Sequence, residues 1–264
     1  MPKVPTNTTV DLASIPTTPD LEISRDQAKA EFKDLRDELI DVQNKLYAEG
    51  KQKLLVVLQA MDCGGKDSTI RKVFRGVNPQ GVRVTSFKRP TGAELARDFL
   101  WRVHKAVPGS GMIGVFNRSH YEDVLVVRVN NLVPEEQWRQ RFAQINAFEQ
   151  LLMSGGTRIV KLYLHISRTE QKERLEDRLN NSDKHWKFDI GDLRKRDQWY
   201  DYMGAYEDML SKTSTDSSPW YVIPADQKWY RNLVIARILT ETLRDMNPQY
   251  PTQEDDLSGI TIPD

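Results

Sequence analysis

Three nearly continuous apolar runs, "LLVVLQ" from Leu54, "MIGVF" from Met112 and "IVKLYLHI" from Ile159, are separated by stretches of helical period. A strand that faces water on one side alternates apolar and polar residues; these do not, so they belong to a sheet covered by helices on both faces. The full pattern predicts strands over 53–59, 82–86, 111–116 and 158–165, and a short one at "WYVIP". Between and after them it predicts helices over 66–75, 92–106, 119–129, 135–153, 168–180, near 190–212 and over 227–246. That is the βαβ rhythm of a parallel α/β sheet. Ahead of it, Ser24 caps a helix whose apolar positions Ala28, Phe32, Leu35, Leu39, Val42 and Leu46 step by three or four, with Gly50 at its stop. A chain of 264 residues forms one sizeable domain without needing a second. The catalytic domain is therefore expected over 24–247, with a flexible segment over 1–23 and a polar tail over 248–264, both ends lying loosely on the surface.

Composition removes several classes of function. With 39% hydrophobic and 29% charged residues, the chain has no apolar run near the roughly 18 residues that a membrane span needs. The first twenty residues contain no apolar signal core, and one cysteine cannot form an internal disulfide, so a cytoplasmic location and no membrane partner are expected. Net charge is zero, but it is unevenly spread. From Lys66 to Arg128 there are 12 Lys+Arg against 5 Asp+Glu, a net +7, so the remainder carries −7.

The basic region begins in a glycine loop, "AMDCGGKDSTI", set between a strand and a helix. The phosphate-loop template G-x-x-x-x-G-K-[ST] is matched in part: Ala60 takes the first glycine's place, Gly65 and Lys66 fit, and Asp67 replaces the hydroxyl residue with Ser68 and Thr69 behind it. Its position, first in an alternating α/β pattern, favours phosphate held by backbone N–H groups at a helix N-terminus. Cys63 reads as a small packed residue, because nothing nearby in sequence supplies a base for it.

Asp62 is the odd member. A carboxylate among phosphate-holding amides repels the ligand unless a divalent cation lies between them or the carboxyl takes up a proton. Mg²⁺ prefers oxygen ligands and bridges phosphates to carboxylates, which favours Asp62 as a metal ligand; a turn aspartate bonded to its own loop is the other reading. At the end of the third strand, "GVFNRSHYEDV" directs Asn117 and Arg118 toward the same crevice, since ligands of open parallel sheets bind at the C-terminal strand ends. Where many phosphate-loop enzymes keep a metal-binding aspartate, this chain has Asn117, which adds no charge.

Taken together, "AMDCGGKDSTI", "SFKRPT", "FNRSHYEDVLVVRV", "INAFEQLL" and "RLNNSDKHWKFDIGDLRKRDQWYDYMGAYEDML" resemble the polyphosphate kinase 2 family over roughly residues 25–247. Within it, "FNRSHYEDVL" is similar to the class III branch, which phosphorylates nucleoside monophosphates and diphosphates. The resemblance implies a P-loop kinase-like three-layer α/β/α sandwich with a five-stranded parallel sheet and a helical lid over roughly 178–200. It implies Mg²⁺-dependent transfer of the terminal phosphoryl group of inorganic polyphosphate to AMP or ADP, giving ADP and ATP, reversibly, with Mn²⁺ as a substitute metal. Asp62 would then hold the metal and Lys66 and Arg118 would stabilise the transferring group. The loop residues Cys63, Gly64, Gly65, Lys66, Asp67 and Ser68, with Asn117, would hold nucleotide phosphate. The family's carboxylate at position 117 does not carry over.

The charge pattern suits that substrate, because a chain of phosphates offers nothing but negative oxygens to grip. Arg71, Lys72 and Arg75, with Lys88 and Arg89, are expected to line a channel toward the loop. Arg174 and Arg178, four apart, resemble lid residues that close over phosphates, with ordinary ion-paired helix arginines as the alternative. Glu122, one helical turn past Arg118, is expected near nucleotide or a second metal, as is Asp123. Among Trp186, Trp199, Tyr200, Tyr202 and Tyr206 most are expected in the core. No Ser/His/Asp set is present, as suits phosphoryl transfer, which needs positioning and charge rather than a nucleophile. An ATP-dependent nucleotide or small-molecule kinase is the alternative function. Nucleic acid is not expected as a partner; a homo-oligomer is.

Overall fold

Strand β1 (Lys53–Ala60) is buried from Leu54 to Ala60, and Leu54–Val57 are fully enclosed, as a strand covered on both faces must be. It stands at the centre of the fold. In this computed structural model, which describes residues 3–19, 23–253 and 260–263, four further strands run parallel to it. They are β2 (Val82–Ser86), β3 (Ile113–Asn117), β4 (Thr157–His165) and β5 (Trp220–Pro224), in the order β2-β3-β1-β4-β5. β2 is an edge strand and largely exposed.

Right-handed crossovers distribute the helices over two faces. On one, α1 (Arg25–Glu49) and α2 (Lys66–Val73) pack with the last helix, α10 (Lys228–Met246). On the other lie α5 (Val126–Val129), α6 (Glu135–Ser154) and α9 (Trp199–Thr213). The result is the expected α/β/α sandwich. Ser24 caps α1 in a reciprocal box with Gln27, and Gly50 ends it in the left-handed region at φ +65°.

Three expected helices are broken, two of them by a local competitor. The segment 92–106 becomes α3 (Gly92–Leu95) and α4 (Trp101–His104), because Asp98 accepts the Leu100 N–H at 3.0 Å. The segment 119–129 becomes a 3-10 turn, His120–Val124, and α5, because Ser119 is extended and its hydroxyl caps Tyr121. The segment near 190–212 splits at Gln198 into α8 (Ile190–Asp197) and α9. α7 (Arg168–Asn180) precedes them as expected.

The N-terminal segment departs from the expectation of a loose surface strand. Val4, Val10 and Leu12 are buried, Lys3 pairs antiparallel with Tyr221 on the β5 edge, and Val4 N–H donates to Trp220 O at 2.8 Å. Three apolar residues in a polar stretch suffice to seal the open edge. Residues 1–2 and 20–22 lie outside the described residues, as do 254–259 and 264 of the tail, whose other residues from Gln249 on are exposed.

Lys161, inside the buried run of β4, is fully enclosed. Its Nζ donates to Glu149 Oε2 at 2.7 Å, to Thr213 O at 2.6 Å and to Tyr121 Oη at 3.2 Å, and Tyr121 Oη donates to Glu149 Oε1 at 2.6 Å. Through Tyr121 this network fixes the turn that follows β3.

Candidate functional site

The chain reverses its direction of travel across the sheet at β1, whose neighbours are β3 and β4, and the crevice opens at the C-terminal ends of these strands. The loop 61–65 leaves β1 there and enters α2 through Gly65, at φ +97°. Only glycine fits: a Cβ at 65 would lie 2.0 Å from Arg231 Nη1. Five described residues other than glycine adopt positive φ; three are asparagines elsewhere, and the other two, Cys63 at +64° and Arg118 at +61°, both flank this crevice. Such strain gathers where surrounding contacts hold a functional geometry.

Arg118, at the tip of β3, is gripped between two carboxylates. It pairs with Asp62 Oδ1 through Nη2, while Nη1 donates to Glu122 Oε2 at 3.1 Å. Asp62 Oδ2 receives Lys195 Nζ, from α8, at 2.5 Å. Burial alone would raise the Asp62 carboxyl, but Arg118, Lys66 and Lys195 outweigh it and hold it well below the usual carboxylate range. The like-charge problem posed by an aspartate in a phosphate loop is thus met by flanking cations, one on each oxygen.

Lys66 is buried. Its Nζ donates to Ala60 O at 2.8 Å and contacts Met61 O at 3.4 Å, and burial, reinforced by Arg118, pushes its ammonium down to about 8. A nearly dehydrated lysine at a helix N-terminus gains strongly from an arriving phosphate. Cys63 is inert, its thiol pushed up to about 11 by burial.

Asn117 turns its amide to Asp67 Oδ1 at 2.6 Å and toward Ser86 Oγ at 3.3 Å, tying the ends of β3, α2 and β2 together. The Ser68 hydroxyl donates to Gly65 O at 2.9 Å, so it serves the loop itself. Arg174 departs from the lid role: it is buried, paired with Glu170 at 2.6 Å, and donates to Cys63 O at 2.8 Å and Ala225 O at 2.7 Å. Arg178 does reach the polar stretch beyond α7, donating to Lys187 O at 3.1 Å and Asp192 Oδ2 at 3.3 Å. Asp123 turns away to Arg141 on α6 at 2.9 Å, and burial pushes its carboxyl up to about 6.

Lys88 and Arg89 follow the C-terminal end of β2, on the crevice side of the sheet. Arg71 and Lys72 lie further along α2, about 8 to 9 Å from Lys66 by helical rise, and Arg75 lies beyond its end. All five are exposed, and none has a carboxylate partner among the described residues.

The family model described as polyphosphate kinase 2 matches residues 22–251. This chain belongs to the polyphosphate kinase 2 family. It is 57% identical over 221 residues to the AMP/ADP-polyphosphate phosphotransferase of Meiothermus ruber, covering 84% of this chain and 83% of that one. It is 45% identical over 225 residues to the ADP-polyphosphate phosphotransferase of Rhodopseudomonas palustris, covering 81% of this chain and 78% of the other. The crystal structure of polyphosphate kinase 2 from Arthrobacter aurescens TC1 superposes with a TM-score of 0.93 at 41% identity, over 97% of this chain and 92% of that one. The fold is accordingly the P-loop kinase-like one.

At this crevice the sequence points to Asp62, Lys66, Arg118 and Glu122, but not to Lys195, nor to Gln171 and Arg231, which donate to Asp62 O at 3.1 Å and Gly64 O at 3.4 Å. Lys195 had a visible signal, since Asp192 and Lys195 are three apart and share a helix face in "DLRKRD". Arg231 falls on the apolar stripe of α10, in step with Val234, Ile235 and Ile238, where a charge needs a buried partner. Of the aromatics, Trp199, Tyr202 and Tyr206 are buried while Trp186 and Tyr200 are exposed, and Tyr202 and Tyr206 wall the crevice beside Arg118 and Lys195.

Proposed function

We propose that this protein transfers the terminal phosphoryl group of inorganic polyphosphate to AMP and to ADP, giving ADP and ATP, and runs the reaction in reverse when ATP is abundant. The observation that carries this reading is the convergence of Arg118 and Lys195 on the Asp62 carboxylate, beside the buried Lys66, at the mouth of a phosphate loop. The relatives' named activities support it.

An oxygen of the nucleotide's terminal phosphate attacks the end phosphorus of the polymer, a new P–O bond forms, and the bridging P–O bond to the rest of the chain breaks. The attacking oxygen is already ionised near neutral pH, because the second ionisation of a phosphate monoester lies near 6, so no general base is needed. Lys66 and Arg118 neutralise charge as it spreads over the transferring oxygens, and the loop amides hold the phosphate in line. Lys195 closes the crevice from α8 and excludes water that would otherwise capture the phosphoryl group. Lys88 and Arg89 form an exposed basic edge of the crevice for the polymer, and Arg71, Lys72 and Arg75 form a second basic patch further along α2.

The donor set suits a hard divalent cation, because the carboxylates at the crevice are oxygen donors and Mg²⁺ takes one or two of them with substrate phosphates and waters. Asp62, on exchanging one of its cationic partners Arg118 and Lys195 for the ion, and the exposed Asp67 are the residues that would hold it, with Mn²⁺ as its substitute. Bound there, the ion supplies further neutralisation of phosphate charge. No helix among the described residues is long and apolar enough to cross a membrane, and a cytoplasmic, self-associating enzyme belongs to the same proposal.

The test is a donor exchange. Purified protein with AMP, Mg²⁺ and polyphosphate, free of ATP, should form ADP and then ATP. Product only when ATP replaces polyphosphate would establish an ATP-dependent kinase instead.

A further inference from the structure

The carbonyl oxygens of the loop are held from behind. Five consecutive ones, from Ala60 to Gly64, accept hydrogen bonds: Ala60 and Met61 from Lys66, and Met61 also from Gly64 N–H at 3.0 Å. Asp62 O accepts from Gln171 Nε2 at 3.1 Å, Cys63 O from Arg174 Nη1 at 2.8 Å, and Gly64 O from Arg231 Nη1 at 3.4 Å. The last three donors are buried and come from two helices, Gln171 and Arg174 one turn apart on α7 and Arg231 on α10.

In a trans peptide the C=O and N–H of one plane point in opposite directions, and this chain has no cis bonds among its described residues. Carbonyls drawn toward α7 and α10 therefore turn the N–H groups of Cys63 and Gly65 the other way, into the loop. The left-handed conformations of Cys63 and Gly65 add the curvature of an anion-binding nest. A donor on the oxygen of a peptide plane also polarises the N–H of that plane, so each clamp strengthens the donor opposite it.

Arg231 carries a second piece of information. It is fully buried, contacts Asn232 Oδ1 and Ser68 Oγ at 3.0 and 3.1 Å, and has no carboxylate within ion-pair distance among the described residues. A buried cation without a counter-charge is costly. Burial and the neighbouring Arg174 push it down to about 9, and the nearby Glu170 carboxylate is taken by Arg174 at 2.6 Å, so Arg231 has no counter-charge of its own.

We propose that Gln171 and Arg231 are positioning residues, which hold the carbonyls of Asp62 and Gly64 so that the N–H groups of Cys63 and Gly65 are aimed and strengthened for phosphate, while Arg174 fixes the intervening carbonyl of Cys63 and Arg231 supplies a buried charge that the bound phosphate neutralises. This deepens the function proposed above and rests on it.

Binding of inorganic tripolyphosphate without nucleotide, measured by calorimetry, tests the inference together with the amide ¹H–¹⁵N shifts of Cys63 and Gly65. Arg231→Met should weaken binding about tenfold or more and move the Gly65 amide, while Arg231→Lys, which can still reach Gly64 O, should recover most of the affinity. Gln171→Met should move the Cys63 amide and weaken binding several-fold. A folded Arg231→Met protein with affinity within twofold of the natural chain and an unmoved Gly65 amide would overturn the clamp. If Arg231→Met does not fold, an unchanged affinity and Cys63 amide in Gln171→Met decides against it in the same way. A natural chain that binds tripolyphosphate through these amides yet moves no phosphoryl group to AMP would refute the proposed reaction and support the clamp. Full transfer by folded clamp variants would refute the clamp alone.

Discussion

Asp62 sits among the charges of Arg118, Lys66 and Lys195, which keep its carboxyl ionised against the effect of burial. Removing Arg118 leaves Asp62 and Glu122 without their shared cation and deletes a charge that faces the transferring group. Arg118→Ala should lower kcat by about 10²–10³-fold with the fold intact, which steady-state kinetics and far-UV circular dichroism would establish together. Lys66 gives a pH signature. With its ammonium near 8 in the free protein, the charged form that attracts phosphate is lost as pH rises through that value, so kcat/KM for polyphosphate should fall above about pH 8. Lys66→Arg, which stays charged, should flatten that limb; an unchanged limb would place the titration elsewhere. The sequence makes Asp62 legible as an anomaly but not its resolution, because Lys195 lies 133 residues away and only the fold brings it within 2.5 Å.

At the scale of elements, α8 reaches the crevice through Lys195, and Asp192 alone of its residues is buried. Asp192 pairs with Arg178 at 3.3 Å and lies 3.9 Å from Lys195, and burial, followed by repulsion from Asp62, pushes its carboxyl up to about 6. The closed arrangement therefore binds a proton more tightly than an open one, where the group reverts toward the ordinary aspartate value. Closure should be favoured as pH falls through about 6 and weakened as pH rises through it. Amide exchange over 182–197, corrected for intrinsic rates, should slow on going from pH 7 to 5, and Asp192→Asn should abolish the dependence. The sequence shows that a polar stretch precedes a helix here; it does not show the break at Gln198. Helical period alone runs through 190–212, and the break follows from two different destinations, with Asp192 and Lys195 drawn to the loop and Trp199, Tyr202 and Tyr206 drawn to the core. Segments 92–106 and 119–129 fail similarly, since Asp98 and Ser119 bond to nearby backbone in ways that apolar spacing does not register.

For the molecule as a whole, the parallel sheet was the most legible feature, because doubly covered strands write long apolar runs into the sequence. The exception inside those runs, Lys161, has no local explanation; its partner Glu149 lies on another element and the pair is fully enclosed. Glu149→Gln would leave the ammonium without a counter-charge and should cost about 3–5 kcal/mol, read as a lower denaturation midpoint with an unchanged m-value. The N-terminal segment was the least legible, its three buried apolar residues being too few to set a period. The overall neutrality hid a basic region that the fold divides between the crevice edge at Lys88 and Arg89 and the outer end of α2. The central event is the passage of a phosphoryl group from polymer to nucleotide, proposed to occur at the loop held by Lys66. Phosphorus NMR of AMP, Mg²⁺ and polyphosphate, free of ATP, follows that event directly. The natural chain should convert polymer signal into the β resonance of ADP and then the γ resonance of ATP, while Lys66→Ala leaves the polymer intact; release of orthophosphate alone, or equal conversion by both proteins, would contradict it.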